Sequence, residues 1–200
     1  MLRGRSSKSC RQALRASQPV SGAHLLAQYG GEAGYPRGVG APLGFDVREV
    51  LSLAGDSARG AKVFRQKSLQ CVNCHDAGNA REPAWLGPSL AKIGTKYRTA
   101  EEMLETIVAP SAKIAPEYQM LIILTTGGET ISGRVLEEDD DKMTLMGADR
   151  KIHEIAFEQI DSVNASEVSL MPAELLQSLS AQEAADLVAY LLSLTDSAGP

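Results

Sequence analysis

The run Cys71-Val72-Asn73-Cys74-His75 brings two thiols and an imidazole close together along the chain. Thiols at this CxxC spacing can form thioether bonds to the two vinyl groups of one haem. The histidine that follows directly then lies beneath the iron as its proximal ligand. The spacing has two other uses. A redox-active CxxC opens a helix after a strand in a βαβ unit, whereas here a helical pattern precedes the motif and no parallel-sheet pattern surrounds it. Half a zinc site is the other, but the remaining cysteine, Cys10, lies in the N-terminal stretch and His153 falls in a predicted strand. Haem attachment is the use the motif favours.

The composition narrows the setting. Two hundred residues with 44% hydrophobic content can bury a core, but only 4% are aromatic. The core must therefore be aliphatic, or be completed by something the size of a porphyrin. Three cysteines make no disulfide framework in a chain of this length. A net charge of −5 argues against a nucleic-acid partner, which would need a basic surface. No run approaches the ~18 apolar residues of a membrane span, so no transmembrane segment is expected.

Several elements must position the motif. Residues 1–50 are rich in Gly, Ser, Ala and Arg, without sustained hydrophobic period, and read as a disordered leader or linker. The acid-poor, Arg-bearing start also fits a transit peptide, whereas the apolar core of a secretory signal is missing. Asp56 can cap a helix through Ala58, Ala61, Val63 and Phe64 to about Lys67. Thr99 and Glu102 form a capping box for a helix through Met103, Leu104, Ile107 and Val108, stopped by Pro110. From Tyr118 the period becomes alternating. Four strands are expected, at 118–124, 130–136, 142–146 and 151–155, with a turn at Gly127-Gly128 and a bulge or bend at Gly133. Ser180 and Glu183 box the last helix, whose Ala184, Leu187, Val188, Leu191 and Leu192 share one face.

These segments resemble a known family. Asp56 to Phe64, the CxxCH run, Leu86-Gly87-Pro88-Ser89-Leu90 and Leu187-Val188-Ala189-Tyr190-Leu191 are similar to their counterparts in class I cytochromes c. More closely, residues 56 to 194 resemble the haem-c domain of large exported proteins of planctomycete and verrucomicrobial bacteria. The resemblance implies a mainly α cytochrome c fold with an inserted small antiparallel β meander or barrel. It divides the chain into a leader (1–50), an N-terminal haem-bearing part (51–117), the β insert (118–164) and a C-terminal part with the axial methionine and closing helix (165–196).

The resemblance also implies roles. Cys71 and Cys74 would carry one haem c, with His75 as proximal iron ligand. The Pro88 carbonyl would accept a hydrogen bond from His75 Nδ1, Leu90 would cover the haem edge, and Gly60 and Phe64 would meet Tyr190 where the first and last helices cross. For the distal ligand the family uses a methionine shortly before the closing helix, which fits Met171 in Ser169-Leu170-Met171-Pro172. Met103, Met120, Met143 and Met146 have packing explanations on helix or strand faces. His153 is the main rival to Met171.

The expected function is one-electron transfer between redox partner proteins, with no catalytic residues. A haem enzyme with an open distal site is one alternative, and a docking module in which the β insert recognises a partner is another. The acidic run Glu137 to Asp141 would be a solvated hairpin tip, or a steering patch for a basic partner. Haem c attachment outside the bacterial cytoplasm implies a periplasmic or otherwise exported location. With no export signal visible, the chain is expected to be a piece of a longer, dehydrogenase-type protein.

Overall fold

The computed structural model describes residues 43–78 and 86–195. Contacts divide the chain into two compact units. One is a sheet unit, Ile114–Leu170, and the other is a helical unit that takes in the described residues up to Lys113 and from Met171 onward.

The helical unit forms where the sequence supplies caps and an apolar face. Helix α1 (Val47–Ser52) is capped by Asp46, whose carboxylate accepts the Arg48 N–H, and it buries Val47 and Val50. Its residues Val47 to Val50 fall in the stretch 1–50 read as a leader and are helical there; residues 1–42 of that stretch fall outside the described residues. Helix α2 (Ser57–Phe64) starts at the Asp56 cap and buries Gly60, Val63 and Phe64. A single turn, α3 (Cys71–Cys74), carries the two thiols, and α4 (Ile93–Lys96) is equally short. Helix α5 (Ala100–Val108) has the Thr99/Glu102 capping box and buries Met103, Leu104, Ile107 and Val108. The closing helix α6 (Ala181–Ser193) has the Ser180/Glu183 box. Its buried face is wider than the expected stripe and adds Ala181, Ala185, Asp186 and Tyr190, because α1, α2, α4 and α5 all pack against it.

The α2–α6 crossing is tight. A Cβ on Gly60 would lie 1.9 Å from the Asp186 carbonyl oxygen and 2.7 Å from Tyr190 Cβ. Phe64 and Tyr190 close the crossing with ring centroids 5.5 Å apart. Beside it, buried Asp186 accepts from Arg59 Nε at 2.6 Å, Arg59 Nη2 at 2.7 Å, the Asp56 backbone N–H at 2.8 Å and Gln182 Nε2 at 2.9 Å. These donors hold its carboxyl down at about 2, the Arg59 bond contributing most.

The sheet unit is a five-stranded antiparallel sheet in the order β4-β3-β2-β1-β5. Its strands are β1 (Met120–Thr125), β2 (Thr130–Glu138), β3 (Lys142–Met146), β4 (Ile152–Ala156) and β5 (Ile160–Ala165). Leu121, Ile123, Met143, Leu145 and Ile155 form its core. The alternation that placed β1 leaves Ile122 and Leu124 on the opposite, exposed face. The first hairpin turns at Gly128, whose φ of +83° suits glycine. At the second, the Asp139 carboxylate accepts the N–H groups of Asp141 and Lys142, both at 2.8 Å.

Three expectations need correction. The fold is not mainly α: with about 34% of the described residues in helix and 21% in strand it is an α+β arrangement with a five-stranded antiparallel sheet, not a mainly α cytochrome fold. The fifth strand, Ile160–Ala165, returns to pair with β1 from Leu121↔Ala165 to Thr125↔Ile160; its polar Asp161, Ser162 and Asn164 hide it from a search for apolar runs. The bulge in β2 falls between Val135 and Glu137 rather than at Gly133. Gly133 instead allows close strand approach, since a Cβ there would lie 2.9 Å from Leu145 Cβ.

Candidate functional site

The site grows from a change of backbone direction. Gln70, in the left-handed region at φ 55°, starts the single turn of α3. The His75 N–H closes that turn on the Cys71 carbonyl at 3.0 Å. Cys71 and Cys74 thus stand one helical turn apart, as neighbours on its surface. At His75 the chain becomes extended, with φ −121° and ψ 141°.

A second segment then returns to the turn. The Gly87 N–H donates to the Cys74 carbonyl at 3.0 Å, and the Leu90 N–H donates to the Asp76 carbonyl at 2.7 Å. Ser89 Oγ adds a 3.0 Å bond to the Asp76 carboxylate, which also accepts the Gly78 N–H at 2.9 Å. This pairing brings the Pro88 carbonyl within 2.7 Å of His75 Nδ1. A carbonyl can only accept, so Nδ1 carries the proton and Nε2 presents its lone pair. Burial pushes the His75 pKa down, which keeps the ring neutral, the form in which imidazole ligates metals.

The Cys71 thiol is equally distinctive. Burial pushes the Cys71 thiol up to about 11, and its Sγ lies 3.8 Å from the Leu69 carbonyl oxygen. A redox-active CxxC needs the opposite shift, toward a thiolate at neutral pH. A bare metal ion needs ligands that converge. Among the described residues no three His, Cys, Asp or Glu side chains do so, and Cys71, Cys74 and His75 are no exception.

The other expected site residues lie in the same unit. Leu90 and Met171 are half-buried and pack against the helical core, as do Cys71, Ile93 and Tyr97. Met103 is part of that core at 1% exposure, and Met143 sits in the sheet core, so packing accounts for both. His153, Met120 and Met146 belong to the sheet unit. Two features of the site region escape sequence reasoning. The ion pair of Arg59 with Asp186 was marked only by one charge standing alone in the apolar run from Ala184 to Leu192. The second is the close approach of Gly87 to the His75 ring; the resemblance includes Gly87 in the run Leu86 to Leu90 but gives it no role. No family model and no curated protein matches the chain.

Proposed function

We propose that the chain is a carrier of single electrons that binds one haem c through thioether bonds at Cys71 and Cys74, with His75 as the proximal iron ligand. The observation that carries this is the 2.7 Å contact of His75 Nδ1 with the Pro88 carbonyl, next to two thiols one helical turn apart. Fixing Nδ1 as the donor orients the ring, frees Nε2 for the iron and strengthens the imidazole as a ligand. The high pKa of the Cys71 thiol sets the site apart from thiol–disulfide chemistry.

When bound, the haem supplies the Fe(II)/Fe(III) couple. The protein's own residues attach the group, exclude water from it and tune its potential. Leu90 lines the pocket. Met171 is the distal ligand in this proposal: it is half-buried against the same helical core, and its neutral thioether favours Fe(II) without adding charge. The partners are redox proteins, no substrate is turned over, and haem c attachment places the protein in the periplasm or otherwise outside the cytoplasm. No described helix is long and apolar enough to cross a membrane.

Intact mass after co-expression with a haem-c maturation system tests the proposal. A gain of one haem, abolished when Cys71 and Cys74 are both changed to Ala, is expected. An unchanged mass overturns it.

A further inference from the structure

We infer that Gly87 is a positioning residue for the His75 imidazole, its absent side chain leaving the space in which the ring is held. The inference rests on the proposal that His75 is a haem ligand. Gly87 is buried, and its φ lies outside the left-handed region, so its backbone does not need glycine for conformational freedom. What it needs is room. A Cβ there would lie 2.5 Å from His75 Cε1, 2.8 Å from Nδ1 and 3.0 Å from Nε2.

Neither side can yield cheaply. The ring is tied through Nδ1 to the Pro88 carbonyl at 2.7 Å, and Gly87 is tied through its own N–H to the Cys74 carbonyl at 3.0 Å. Any side chain at position 87 must break one of these bonds or turn the imidazole, and either outcome moves Nε2. The other close-packed glycines of this unit differ in what they meet. A Cβ on Gly94 would strike the backbone of α6, at 2.2 Å from the Leu192 carbonyl oxygen, and no site residue. Gly94 therefore serves as a packing control.

The test compares the haem-loaded wild type with Gly87→Ala and Gly94→Ala. In the reduced wild type, a proton contact between Gly87 Hα and His75 Hε1 is expected by NMR. Gly87→Ala should keep its thioether-bound haem but show a raised reduction potential, because a weaker imidazole donor stabilises Fe(III) less. The acid transition that detaches His75 should move up by about one to two pH units, matching the roughly 10- to 100-fold cost of disturbing a partner of a metal-binding histidine. Gly94→Ala should lower stability with neither readout moved. The inference is overturned if the two glycine variants shift both readouts equally, or if Gly87→Ala leaves both at their wild-type values. Should Gly87→Ala fail to fold, the wild-type NMR contact decides, and its absence overturns the inference alone. A wild type without covalent haem overturns the haem proposal itself.

Discussion

At the scale of single residues the site combines a neutral, oriented imidazole with a Cys71 thiol that resists ionisation. Burial is the leading cause of both shifts, lowering His75 and raising Cys71. Met171 is the residue whose assignment is most exposed to test. Met171→Ala should leave the haem attached, lower the reduction potential and let cyanide or carbon monoxide bind rapidly. Loss of the long-wavelength sulfur-to-iron charge-transfer band in the ferric protein checks the ligand directly; survival of the band, or its loss in Met146→Ala instead, contradicts the assignment. Residue identity made Cys71, Cys74 and His75 legible because their spacing has few chemical uses. The Pro88 carbonyl entered through the family resemblance, and the structure places it 2.7 Å from the ring. Gly87 stands in the same matched run, but its contact with the ring depends on a return of the chain that spacing does not show.

At the scale of elements, the crossing of α2 and α6 joins the first part of the helical unit to its last. Gly60→Ala should destabilise the protein by about 3 kcal/mol, the upper end of ordinary overpacking, since the added carbon meets backbone on the facing helix. A denaturant melt of the haem-loaded protein measures this, and a change near zero would show that the helices can separate freely. The Asp186 carboxylate adds a pH dependence. Its folded pKa of about 2 lies below the ordinary 3.8, so the unfolded chain takes up the proton first as pH falls. The resulting stabilisation, about 2 kcal/mol, is fully present above pH 3.8 and is lost as pH falls toward 2. Asp186→Asn should lose that stability at neutral pH and show a shallower decline over the same window. Denaturant melts between pH 2 and pH 5 check the difference, and parallel curves for the two proteins would contradict it. Local signals made three helices legible: Asp56, Thr99 with Glu102 and Ser180 with Glu183 all cap where their sequence says they should, whereas α1, capped by Asp46, begins in the stretch read as a leader. The Arg59–Asp186 pair joins residues 127 positions apart, and no local pattern reports such a contact.

At the scale of the whole molecule, each unit has its own core. The helical core runs from Val47 to Leu194, and the sheet core consists of five buried side chains with partly buried neighbours such as Val135 and Phe157. A haem-free variant with Cys71 and Cys74 changed to Ala should therefore lose order in the helices while the sheet persists. Hydrogen exchange resolved by segment reads this as lost protection over α2 and α5 with retained protection over β1 to β3; uniform, cooperative loss across both units would contradict it. The balance of the fold was the least legible feature in the sequence. Four alternating segments suggested an insert in a helical protein, but β5 has Asp161, Ser162 and Asn164 among its apolar residues and pairs with β1. Covalent haem at Cys71 and Cys74 is read out by a pyridine haemochrome spectrum of the protein co-expressed with a haem-c maturation system. The α-band of a haem with both vinyl groups saturated is expected, with the pigment remaining on the protein in acidic organic solvent. Haem that extracts into the solvent with a vinyl-bearing spectrum, or no haem at all, would contradict it.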